Sequence, residues 1–354
     1  MLLQETNIVQ VIKYPENQVL IQNPITPIDL KKELYQIDYL RAVAATGVCL
    51  FHFTCGNSKF LPHYNLIYET LRFGYLGVDI FFIVSGFIIC YSFPKNYKII
   101  SFFSFFKKRL LRVHPPYLMS IALTILVAYT AAIYTHNPVH VSGLNLLYHF
   151  FYLNNFTDVT YITGVYWTLG IEFQFYIIIG LLFNLMNKSV YYLSGIIIIL
   201  LFLNWIKIDT TNLILEHTPL FCIGILLYFY LFDCQYPKVI LLFLLATSLA
   251  ILGYNQTASF YTSLFTICII YIPFTKNKFI QFLSGISYSL YLVHIPVGGR
   301  VINLCLKFTH NNYEKYLAVF IALVVSIITA YFFHFIIEKP AIRWSKKVKY
   351  FRAG

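Results

Sequence analysis

One apolar stretch, IDYLRAVAATGVCLFHF, holds Arg41 and His52. Eleven steps of about 100° come back to within about 20° of the start, so on a helix both side chains share a face, about 16 Å apart along the axis. Imidazole exchanges a proton near neutral pH and suits the role of general base. Guanidinium is a planar fork that matches phosphate or carboxylate. Asp38, one turn before Arg41, is spaced to pair with it. The bland alternative is a snorkelling Arg and a His bonded to a nearby carbonyl, and two such residues on one face weigh against it.

Two carboxylates stand in similar surroundings, Asp79 in FGYLGVDIFFIVSGF and Glu172 in GVYWTLGIEFQFY. Ionisable side chains inside apolar runs are costly and tend to line a cavity or pathway. Asp79 also reads as a helix cap at a membrane surface. By depth, His52, Asp79 and Glu172 are expected in one layer, the outer third, where either carboxylate would orient the imidazole and stabilise its protonated form. Trp167 is placed at the same interface. The segment PKNYKIISFFSFFKKRLLRVHPPY carries Lys107, Lys108, Arg109 and Arg112. Its basic face is either a topology signal or a phosphate site. His294, in GISYSLYLVHIPVGGR, precedes Pro296, which removes a backbone donor; this suggests a cavity lining, the alternative being a packed His beside a kink. Glu338 and Arg343 in EKPAIRW read as a helix end before a basic tail. His114, His136, His140, His149, His217, His310 and His334 show no partner and read as structural. The seven cysteines form no C-x-x-C, so neither a metal site nor a disulfide framework is expected.

The elements that must hold these residues follow from composition. The chain has 354 residues, 59 % hydrophobic and only 11 % charged, against about 25 % charged in a soluble domain. A water-facing shell cannot be built from so few charges, which excludes a soluble enzyme, a disordered chain and a secreted disulfide scaffold. Apolar runs fall at about 37–57, 76–93, 117–136, 165–187, 190–206, 218–232, 239–254, 257–274, 286–306 and 316–337. Backbone groups in hydrocarbon must be paired internally, so the runs are helices. The expected fold class is an all-α polytopic membrane protein with about ten transmembrane helices and cytoplasmic N- and C-termini. That orientation puts 19 of the 26 Lys and Arg on the cytoplasmic side. The net charge of +12 then reports topology, and no nucleic-acid partner is expected. Residues 1–36 lack the basic start and apolar core of a signal peptide and read as a cytoplasmic extension. Residues 37–344 form the membrane domain and 345–354 a basic cytoplasmic tail. The outer segment 137–163 has no Lys or Arg and is long enough to cover a cavity.

Six pieces in order along 37–344 together resemble the acyltransferase-3 family of integral membrane acyltransferases: IDYLRAVAATGVCLFHF, GYLGVDIFFIVSGFII, KKRLLRVHPPY, VYWTLGIEFQFY, SYSLYLVHIP and EKPAIRW. That family includes bacterial enzymes that O-acetylate lipopolysaccharide O-antigens, capsules and Nod factors. The resemblance implies a ten-helix core in the inner membrane and an acyl-CoA donor, acetyl-CoA above all, entering from the cytoplasm. It implies a glycan or lipid-linked sugar as acceptor. His52 would be the catalytic His, Arg41 its motif partner, Lys108, Arg109 and Arg112 the donor-side cations, and Glu172 the acidic position after Trp167. Thr168 and Gly170 replace usual serines of the family, and Val293 a frequent Trp. The competing reading is a transporter of glycans or lipid intermediates, which ten helices with embedded charges would also suit.

Overall fold

A computed structural model describes residues 34–56, 66–94, 96–136, 140–205, 213–232 and 235–350. The extension expected over 1–36 lies almost wholly outside the described residues, as does the end of the basic tail. All regular structure among the described residues is helical. The described residues begin with α1 (Tyr35–Thr54), a short α2 (Leu66–Leu71), a tight turn Arg72–Leu76 and α3 (Gly77–Ser92). There follow α4 (Phe102–Thr135), α5 (Gly143–Phe150), α6 (Trp167–Met186), α7 (Val190–Leu203) and α8 (Thr218–Phe232). The last elements are α9 (Lys238–Asn255), α10 (Thr257–Tyr271), α11 (Lys278–Val293), α12 (Arg300–Cys305), α13 (Asn312–Phe333) and α14 (Lys339–Lys347).

Seven of the helical stretches are long and apolar enough to cross a bilayer, from Ile67–Ser92 to Asn312–Lys347. Two more, Val190–Leu203 and Thr257–Tyr271, are apolar but shorter. The chain is therefore an integral membrane protein. Helix α1 has 20 residues, but Asp38, Arg41 and His52 dilute its hydropathy.

Two connections differ from expectation. Residues 94–116, which separate two of the expected apolar runs, are helical from Phe102 onward, and α4 runs 34 residues straight through Pro115 and Pro116. Proline removes an N–H and disfavours the helix interior, yet the long apolar stretch beyond it continues the helix. The segment 137–163 is also partly ordered. Ser142 caps α5 by accepting the Leu144 N–H at 3.2 Å. Buried His149 accepts the Ile162 N–H on Nε2 at 3.0 Å, so its proton sits on Nδ1, 2.7 Å from the Tyr117 hydroxyl. Burial pushes this imidazole down to about 4, which keeps it neutral and the segment pinned to α4.

The core sits where α3 crosses α8. A Cβ on Gly224 would fall 2.1 Å from the Ile83 carbonyl oxygen, and one on Gly86 would fall 2.5 Å from that of Phe221. Only hydrogen at both positions lets the two backbones touch. Two helical turns open into wider π geometry, His294–Gly299 after α11 and His334–Glu338 after α13. Such bulges re-aim side chains and often mark functional sites.

Candidate functional site

Helix α1 is anchored on α11. Arg41 Nη2 donates to Ser287 Oγ at 2.9 Å, and Ser284 Oγ donates to Asp38 Oδ1 at 2.6 Å. Ser284 and Ser287 in SGISYSLY are three residues apart and so face α1 together. Arg41 thereby opens onto a cavity that Arg109, Arg112, Glu172 and Glu338 also line. Three guanidinium groups face two carboxylates there, leaving an excess of positive charge for an anion.

Beside Arg41, neighbouring side chains also hold Arg109, Glu172 and Glu338 in this arginine cavity. Glu172 Oε1 accepts from Tyr176 OH at 2.5 Å and from Ser85 Oγ at 3.1 Å. Arg109 donates to Ser92 Oγ and lies over the Phe105 ring. Its Nε is buried without a partner among the described residues. Glu338 projects inward from the second π turn, where Ser289 Oγ donates to its Oε2 at 2.5 Å and His334 Nδ1 lies 2.9 Å from the same oxygen. Lys108 points elsewhere, its ammonium 5.1 Å from the centre of the Tyr350 ring. Of the α4 cations, only Arg109 and Arg112 line the cavity.

A second cavity is lined by His52 from the end of α1, Asp79 from the first turn of α3, and Trp167 from the first turn of α6. Gln256 and Ser259 contribute polar groups, and His217 stands between Trp167 and Phe82, with ring centroids 5.3 and 5.1 Å away. Asp79 Oδ2 and His217 Nδ1 are buried without partners among the described residues. Val78 and Tyr291 line both cavities. The Tyr291 hydroxyl is fixed by Thr168 Oγ1 at 2.7 Å and the Val165 carbonyl at 2.9 Å.

The structure thus brings His52, Asp79 and Trp167 together and Arg41, Arg109, Arg112 and Glu172 together, with α1 reaching both groups. Glu172 does not share a layer with His52 and Asp79. Helix α6 starts at Trp167, and Glu172 stands five residues further on, about 7.5 Å down the axis, which is enough to pass from one cavity into the other. His294 is fully buried and lines neither cavity; its ring centroid lies 5.2 Å from that of His52.

Several lining residues escape sequence reading. Glu338 looks like a helix end, because nothing in EKPAIRW announces a π turn. His217 reads as structural, because its neighbour Trp167 is 50 positions away. Ser284 and Ser287 carry a visible signal, a three-residue spacing within an apolar run. Among the described residues, no group of three or more His, Cys, Asp or Glu is arranged to hold a metal ion.

Comparison with known proteins adds to this geometry. The family model described as an acyltransferase domain, that of the acyltransferase-3 family, matches residues 34–335. Proteins provisionally named O-acetyltransferases from Staphylococcus aureus strains COL, MSSA476 and MRSA252 are each 30% identical over 155 residues. The match covers 40% of this chain and 23% of each relative, so the chain spans under a quarter of their length. No solved structure matches.

Proposed function

The chain belongs to the acyltransferase-3 family, and from that premise we propose that it moves an acetyl group from acetyl-CoA to a hydroxyl of a cell-surface or lipid-linked glycan. The observation that carries this reading is the pair of abutting cavities, one cationic and one bearing an imidazole, served by Arg41 and His52 of the same helix.

Arg41, Arg109 and Arg112 offer forks for the phosphates of the donor. Serines and tyrosines fix the two carboxylates beside them, so the cavity keeps its shape as charge enters. His52 takes the proton of the acceptor hydroxyl as its oxygen bonds to the thioester carbonyl carbon. The carbon–sulfur bond breaks, and the imidazolium returns the proton to the departing sulfur. The products are the ester and the free thiol. Trp167, Asp79, His217, Gln256 and Ser259 give the histidine cavity the aromatic face and polar groups that a sugar ring requires.

Ten spans with both termini cytoplasmic place the arginine cavity toward the cytoplasm, where acyl-CoA is made, and the histidine cavity toward the outer face. The excess of Lys and Arg on that side supports this orientation. The family likeness supports a bacterial inner membrane. His52→Ala is expected to abolish transfer of label from acetyl-CoA to the glycan fraction of native membranes, with normal protein accumulation. Undiminished ester formation by that variant would end the reading. Passage of glycan across the bilayer without esterification would favour a transporter.

A further inference from the structure

A histidine that takes a proton on one nitrogen works best when the other nitrogen is held by an acceptor, which fixes tautomer and orientation. Neither carboxylate of the sequence reading supplies that acceptor. Glu172 lies in the other cavity, committed to Ser85 and Tyr176. Asp79 shares the His52 cavity but its carboxylate faces Ser259 on α10.

The group beside the His52 ring is another imidazole. His294 meets the Tyr291 carbonyl with Nδ1 at 2.7 Å. A carbonyl oxygen only accepts, so Nδ1 carries the proton and Nε2 of the neutral ring is a bare lone pair. That Nε2 is fully buried and has no partner among the described residues. A second N–H there would be buried with nothing to receive it. Two imidazoles joined by one N–H···N bond have centroids about 5 Å apart, and the His52 and His294 centroids are 5.2 Å apart. The backbone is built to keep His294 there. The π turn His294–Gly299 begins at this residue, and Gly298 packs so closely on Phe53 of α1 that a Cβ would fall 2.2 Å from the ring.

We propose that His294 is the positioning residue for His52: its Nε2, unpartnered among the described residues, accepts the N–H of the adjacent His52 ring once that ring turns toward it, which leaves the opposite nitrogen of His52 facing the cavity as the base. A lone pair stands where a carboxylate serves in other triads, so the pair stays uncharged until His52 takes the acceptor's proton, and the imidazolium is then stabilised by donation to Nε2. This rests on the reading of His52 as the base. The other titratable groups that line its cavity are Tyr75, Asp79, His217 and Tyr291.

The test uses the full chain in native membranes, with labelled acetyl-CoA as probe and label in the glycan fraction as readout, from about pH 5 to 9. His294→Phe is expected to lower kcat by about 100-fold or more without changing KM for acetyl-CoA. Its acid limb should move to lower pH, because an unsupported His52 is a weaker base. His294→Gln, with an amide oxygen near the Nε2 position, should recover most of the rate and return the limb toward that of the wild type. A Phe variant with unchanged rate and profile overturns the proposal. Equal loss in both variants with an unmoved limb also overturns it, since that is the pattern of a packing residue. If the Phe protein fails to accumulate, the Gln variant decides: retained transfer supports the proposal and lost transfer sinks it. An active His52→Ala overturns the base assignment and this inference together, whereas an inactive His52→Ala beside a normal His294→Phe overturns this inference alone.

Discussion

Arg112 and Lys108 are one helical turn apart and carry the same charge, yet only Arg112 lines the arginine cavity while Lys108 lies over Tyr350. If the cavity holds the donor's phosphates, Arg112→Gln should raise KM for acetyl-CoA about tenfold to a hundredfold, the loss of one charge-assisted bond of about 1.5–3 kcal/mol. Lys108→Gln should change it by much less, and titration of acetyl-CoA against both variants in membranes measures the difference. Equal effects would mean that overall charge, not the aim of the fork, binds the donor. The ionisable skeleton was legible in the sequence because charges are conspicuous in apolar runs. Their grouping was less so: five residues of helical rise separate Trp167 from Glu172 and carry the carboxylate into the other cavity. Gly170 illustrates a contact that no single sequence displays. A Cβ there would fall 1.7 Å from Asn155 Oδ1, an atom that also accepts from the Tyr161 hydroxyl, so the serine usual in the family would displace the 150s segment.

Among the elements, α1 was the most readable, since the spacing of Arg41 and His52 already requires one helix with both side chains on a shared face. Helix α4 was the least readable, because Pro115 and Pro116 look like a boundary and the structure runs through them. The crossing of α3 and α8 was partly legible through Gly86, but the partner glycine is 138 positions away. That crossing sets the position of Ser85 and Asp79 on α3, one in each cavity. Gly224→Val should therefore force the helices apart at a cost of about 1–3 kcal/mol or more, and lower the Tm of the purified protein in detergent by several degrees. An unchanged Tm would show that the two backbones do not meet there.

For the whole molecule, composition alone decided the solvent, since so few charges cannot clothe a soluble domain. Which helices become neighbours was not legible, because lipid-facing and buried apolar residues look alike when nearly everything is apolar. The pairing of α1 with α11 shows this: Asp38 and Arg41 appear in sequence as partners for each other, and the structure gives them Ser284 and Ser287, 246 positions along the chain. Where the two cavities abut, Val78 and Tyr291 have a further duty. They line both cavities, and if those cavities open to opposite aqueous phases, as proposed, the insulation of the proton gradient rests on them. Tyr291→Ala in proteoliposomes loaded with a pH-sensitive dye should collapse an imposed gradient faster than the wild type. Unchanged decay would mean that other side chains hold the seal. If donor and acceptor meet through the bilayer, they must do so without short-circuiting it, and that requirement constrains residue 291 whether or not it ever touches a substrate.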